Sequence, residues 1–126
     1  LHHGRYGHAI VNNGEHIFVL GGSGKHGLLS SLEIIDPQTG TIEQVNNLLI
    51  PRRYHTAVWD GNDSIYIMGG MSAVTYGKKR RLLREPRMEV FDIPSRQSKI
   101  IGKIPEASRF GSAQYYDDKI FFMGGS

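Results

Sequence analysis

The sequence predicts an all-β fold built from repeated four-stranded antiparallel units, the architecture of a β-propeller. Three observations carry this. A short apolar run ending in two glycines occurs three times, at residues 16–22, 64–70 and 119–125. Each run follows an arginine–aromatic lead-in (Arg5-Tyr6, Arg53-Tyr54, Arg109-Phe110) and a polar turn, and the first two copies align at an offset of 48 residues. No stretch places apolar residues at the 3.6-residue spacing of a helix, which argues against a helical solenoid.

In chain order, residues 5–11 read as a loop running into a first strand. Asn12-Asn13-Gly14 is a hairpin signal, because Asn and Gly tolerate positive φ. The strand ending in Gly21-Gly22 comes second, and a Gly/Ser-rich loop follows at 23–30. Residues 31–36 have strand composition, Pro37-Gln38-Thr39-Gly40 forms a turn with Asp36 placed to hydrogen-bond into it, and 41–45 alternates like a half-exposed strand. The unit then restarts. Met88-Glu89-Val90-Phe91-Asp92 matches Leu32-Glu33-Ile34-Ile35-Asp36 at 56, so eight extra residues are expected in the loop between the second and third strands of the second unit. The expected units are 5–50, 51–104 and the first half of a third at 105–126, all within one partial propeller spanning 1–126. Two and a half units do not close a ring. The chain is therefore expected to belong to a longer protein or to an assembly that supplies the remaining blades.

Composition narrows the chemistry. Gly is abundant, at 16 of 126 residues, and fits many tight turns. No apolar run approaches the ~18 residues of a membrane span. The absence of Cys removes disulfides, thiolate metal ligands and thiol catalysis. The net charge of +3 is not spread evenly. Residues 77–87 hold six of the fifteen basic residues and one acid, a local +5, while the rest of the chain is −2. That balance disfavours nucleic acid as the partner.

These residues resemble the kelch family. The resemblance rests on the double glycine after an apolar strand, the Arg-aromatic lead-in, and the Ser31-x-Glu33-x-x-Asp36 third strand, matched by Glu89 and Asp92. A tryptophan usual in the fourth strand of that family is replaced here by Ile42 and by Ser98 or Lys99, and the single tryptophan is Trp59. The resemblance implies a protein-interaction module of substrate-receptor or scaffold type, such as a ubiquitin-ligase adaptor or an actin binder. The expected location is cytoplasmic, and the nuclear-localisation composition of Lys78-Lys79-Arg80-Arg81 adds the nucleus as a second expectation. The resemblance also implies an alternative, a sugar-processing enzyme resembling kelch-type sialic acid epimerases. In that alternative Arg53, Arg109, Glu33 and Glu89 surround a carboxylated sugar.

The candidate partner-binding residues are Arg5, Arg53 and Arg109 as shared anchors, with Lys78, Lys79, Arg80, Arg81, Arg84 and Arg87 as the variable determinant. Arginine binds carboxylates and phosphates in two-pronged fashion, so the expected partner is a protein with an acidic or phosphorylated segment. The competing readings are a structural arginine bonded to loop carbonyls or to Glu33 and Glu89, and a solvated flexible basic loop. The glycine pairs Gly21-Gly22, Gly69-Gly70 and Gly124-Gly125 are expected to be structural, since no phosphate-binding helix start follows them. Glu33 and Glu89 occupy equivalent positions and are also expected to be structural. No catalytic residue, metal site or cofactor is expected, and the six histidines lack metal-ligand spacing.

Overall fold

The computed structural model describes residues 5–25, 27–103, 112–116 and 119–123. Arg109, Gly124 and Gly125 lie outside the described residues. The first unit contains β1 (Ala9–Asn12), β2 (Ile17–Leu20), a two-residue hairpin of β3 (Ser23–Gly24) and β4 (Gly27–Leu28), then β5 (Leu32–Ile35) and β6 (Ile42–Val45). The second unit contains β7 (Arg52–Arg53), β8 (Thr56–Trp59), β9 (Ser64–Met68), β10 (Met71–Tyr76), β11 (Lys79–Arg84), β12 (Arg87–Asp92) and β13 (Gln97–Lys103). A last hairpin joins β14 (Ser112–Tyr116) to β15 (Lys119–Met123).

Two antiparallel four-stranded sheets form the blades, in the orders β1-β2-β5-β6 and β8-β9-β12-β13. They are the all-β propeller units that the repeat predicts, and none of the described sheets closes on itself. Local turn chemistry fixes the hairpins. The Asn12 and Asn13 side-chain oxygens accept the N–H groups of Gly14, Glu15 and His16. Asp36 accepts the Gln38 N–H at 2.9 Å. Asp60 accepts the N–H groups of Asn62 and Ser64.

The main core lies between the two blades. Val11, Phe18, Leu20, Leu32 and Ile34 of the first pack with Ile65, Ile67 and Phe91 of the second. Strand alternation sends these residues to one side of each sheet. Phe18 and Phe91 are wholly buried, and each such side chain contributes about 1.5–3 kcal/mol. Trp59 packs on the same core and donates its indole N–H to the Asn62 carbonyl. The tryptophan missing from the fourth strands is thus offset by one at a hairpin. Val58 and Met68 form a smaller cluster with Tyr66 and Met88.

The glycine pairs mark where each blade receives its lead-in. A Cβ on Gly22 would sit 2.7 Å from the Tyr6 carbonyl oxygen and 3.1 Å from the His8 Cα. At Gly70 it would overlap the Arg53 carbonyl oxygen and lie 2.8 Å from the His55 Cα. Both residues also have positive φ. Gly70→Ala is expected to cost about 2–3 kcal/mol through strain and overlap. Gly61→Ala, with positive φ but open space around it, is expected to cost only about 1 kcal/mol. Urea denaturation of the two variants checks the difference.

Those approaches correct the internal alignment. Gly22 meets residues 6 and 8, and Gly70 meets 53 and 55, so the lead-ins correspond at 47 residues rather than 48. Strand pairing agrees: Ala9 opposes Leu20 where Thr56 opposes Met68. The extra residue lies in the turn. Four residues separate the paired Asn12 and Ile17, and five separate Trp59 and Ile65. Arg52, not Arg53, is therefore the counterpart of Arg5.

Candidate partner-binding site

Arg5 is turned into its blade, contrary to its expected role as a partner anchor. Its guanidinium donates to the carbonyls of Gly21 and Ser31, to the Ser31 hydroxyl, and to Glu33 Oε1 at 2.9 Å. Both side chains of this ion pair are fully buried. Here the competing structural reading describes Arg5 better, because every one of these bonds is made within the first unit.

Arg52 repeats the arrangement. It donates to the Gly69 carbonyl and to the Arg87 carbonyl, and pairs with Glu89 at 3.6 Å. Glu89 also accepts the N–H groups of Leu49 and Ile50, which ties the connection between blades to the second blade's third strand. Burial raises the Glu89 pKa above its ordinary value, against the opposing pull of these partners. Glu33 and Glu89 are thus each committed inside a separate sheet. Both carboxylates are wholly buried, and the arginines they pair with are Arg5 and Arg52.

Freed from that structural duty, Arg53 is built into a different place. Its guanidinium lies over the Tyr54 ring at 5.3 Å and the Tyr6 ring at 5.9 Å. It donates to the Tyr6 hydroxyl at 3.1 Å and to Ser23 Oγ at 3.4 Å. Its Nε is buried with no hydrogen-bond partner, and Arg53 takes part in none of the ion pairs among the described residues. Tyr6 is 54% exposed and Tyr54 40% exposed, so the cluster faces solvent. Tyr54 adopts φ 56, in the position Gly7 holds in the first blade at φ 67. A left-handed backbone at a bulky residue is costly, and here it holds the ring beside Arg53. Arg53, Tyr6 and Ser23 line a cleft of about 240 Å³ whose other wall is Leu28, Arg80 and Leu82.

The basic segment is not a loop. β10 and β11 pair over six residues, from Met71 opposite Arg84 to Tyr76 opposite Lys79, and Gly77 (φ 60) and Lys78 make the turn. The inserted residues extend a hairpin that β3 and β4 form with only two pairs in the first blade. Lys78, Lys79, Arg80, Arg81 and Arg84 are exposed, while Leu82 is half-buried. Arg87 stands apart from this patch. It holds the buried Glu85 through its own N–H, Nε and a terminal nitrogen. Burial alone pushes the Glu85 pKa up, but the Arg87 bonds and the Ser72 hydroxyl bring it down to about 2. The free positive charge of the hairpin is therefore on the other five residues.

Arg52, Tyr6, Tyr54, Ser23 and His55 were not legible as site or junction residues from the repeat alone. For Arg52 a signal exists in the sequence. Two residues separate Arg5 from His8 and Arg52 from His55 alike. Among the described residues no cluster of His, Asp and Glu is arranged to hold a metal, and no helix is long and apolar enough to cross a membrane.

Residues 4–48 match the Kelch motif. The chain is also similar to an F-box/kelch-repeat protein of Arabidopsis thaliana, at 37% identity over 79 residues. That match covers 62% of this chain and 21% of the relative, so the chain spans about a fifth of the length of the curated relative it matches. The buried Arg–Glu bond found in both blades and the glycine pair seated against each lead-in accord with the Kelch motif matched at residues 4–48, and that match together with the relative supports a kelch-repeat family.

Proposed function

We propose that this chain is a non-enzymatic protein-interaction module that binds an acidic or phosphorylated segment of a partner at the Arg53 cleft and the basic hairpin. The observation that supports this best is Arg53 itself. A guanidinium is held between two aromatic rings at the mouth of a cleft, and among the described residues its Nε has no hydrogen-bond partner and it has no carboxylate of its own. Arg80 supplies a second cation across that cleft. Two cations facing one cleft suit a carboxylate or a phosphate, and Leu28 and Leu82 offer apolar contact beside them. The finer form of the proposal is a substrate-receptor role in a ubiquitin ligase, prompted by the F-box/kelch relative.

Reversal of Lys78, Lys79, Arg80 and Arg81 to Glu is expected to weaken capture of acidic or phosphorylated peptides at least about tenfold. Raising ionic strength should weaken binding to the unmutated protein in the same direction. An array of acidic, phosphorylated and neutral peptides probed with both proteins measures this. Equal binding of all three peptide classes, or no change on charge reversal, would sink the reading.

A further inference from the structure

We propose that the partner's acidic segment binds as an extended strand added to the free edge of β11, extending the sheet β7-β10-β11. This deepens the acidic-partner reading above and rests on it. β11 stands at the end of its sheet, paired on one side only. The pairing fixes which backbone groups are free. In an antiparallel hairpin, alternate residues direct both N–H and C=O toward the neighbouring strand. The Glu85 N–H bonds the Gly70 carbonyl, continuing the β10–β11 register by one step. Residues of the same parity, Lys79, Arg81 and Leu83, therefore bond inward to β10. The N–H and C=O groups of Arg80, Leu82 and Arg84 point away from it. Among the described residues no other strand takes them up.

Charge selects the occupant. β11 carries four cations and no acid, and β10 carries no acid either. A second copy of this edge would meet like charge and be repelled, as on other charged edge strands. An extended segment with acidic residues at alternate positions meets opposite charge along its length and gains main-chain hydrogen bonds. The length is sufficient as well. Six paired residues in β11 replace the two of the corresponding hairpin in the first blade, which is too short to template a strand.

The test uses the intact protein and a fluorescent eight-residue peptide of alternating Glu and Val. A second peptide has the same sequence with two consecutive central residues N-methylated, which blocks both edges of the strand and leaves the charge unchanged. N-methylation is expected to weaken binding at least about tenfold, through lost backbone hydrogen bonds. Leu82→Pro should do the same, because it removes an outward N–H and no bond to β10. Leu82→Ala sets the loss owed to the apolar side chain in the cleft, and Leu82→Pro should bind at least about tenfold more weakly than it. Equal binding of both peptides, or Leu82→Pro binding like Leu82→Ala, overturns strand addition. If charge reversal of the hairpin then still abolishes binding, the acidic-partner reading survives alone. If neither peptide binds, both readings fall together.

Discussion

Arg52→Ala is expected to destabilise the protein by about 3–5 kcal/mol, whereas Arg53→Ala should change stability by less than about 1 kcal/mol and instead weaken binding of an acidic partner. The two arginines are adjacent, and sequence alone does not say which is structural. Arg52 is 1% exposed and faces Glu89, which is wholly buried. Removing Arg52 leaves that carboxylate with the Leu49 and Ile50 N–H groups but without its cation. It also frees the carbonyls of Gly69 and Arg87, which Arg52 now satisfies. Adding Glu89→Gln to Arg52→Ala should recover part of the loss, because the uncompensated charge is gone. Urea unfolding of the single and double variants measures the coupling. Strictly additive losses would mean the pair does not interact, and a destabilising Arg53→Ala would return Arg53 to the structural role. Arg53→Ala gives up stacking on two exposed tyrosines and a bond to Ser23, contacts that stabilise little at a wet surface.

The fold was legible because its signals are local. The glycine pairs, the Asn and Asp turns and the third-strand Glu are set by backbone demands that recur in each blade. What failed was alignment across a turn. Matching from Gly21-Gly22 to Gly69-Gly70 assumes hairpins of equal length, and the second turn holds one residue more. Carried back through that turn, the offset of 48 lands on Arg53 instead of Arg52. The basic hairpin was hidden for another reason. A strand exposed on both faces has no apolar alternation to betray it, and Lys79-Arg80-Arg81 reads as loop composition. Its pairing comes from the backbone and from a Gly77 turn, neither of which leaves a hydrophobic signature. The Arg53 cleft needs residues from both units, with Tyr6 and Ser23 from the first meeting Arg53 and Arg80 from the second. No reading of a single repeat assembles it.

His55 is expected to make the blade junction acid-sensitive well above the range of ordinary carboxylate titration. Its Nε2 lies 2.9 Å from the Leu20 carbonyl of the preceding blade, so it donates that bond and the ring is the Nε2–H tautomer. Burial first, then the nearby Arg52, lowers its pKa from 6.5 to about 3. The unfolded chain therefore binds a proton that the folded chain refuses. Stability from this site is complete above pH 6.5 and is lost as pH falls toward 3, by about 4 kcal/mol at the lower end. The slope is about 1.4 kcal/mol per pH unit within that window. Glu85 acts in the same direction but lower, between its ordinary value near 4.5 and about 2. Urea unfolding at intervals from pH 7 to pH 5 separates the two, since Glu85 is ionised in both states over most of that interval. His55→Gln keeps an N–H donor for Leu20 and cannot titrate, so its stability should be nearly flat where the unmutated protein declines. Parallel curves for the two proteins would show that His55 is not the group. Because Arg52 contributes to the depression, Arg52→Ala should raise the folded-state pKa and end the decline at a higher pH, linking the buried ion pair and the inter-blade bond through one electrostatic neighbourhood.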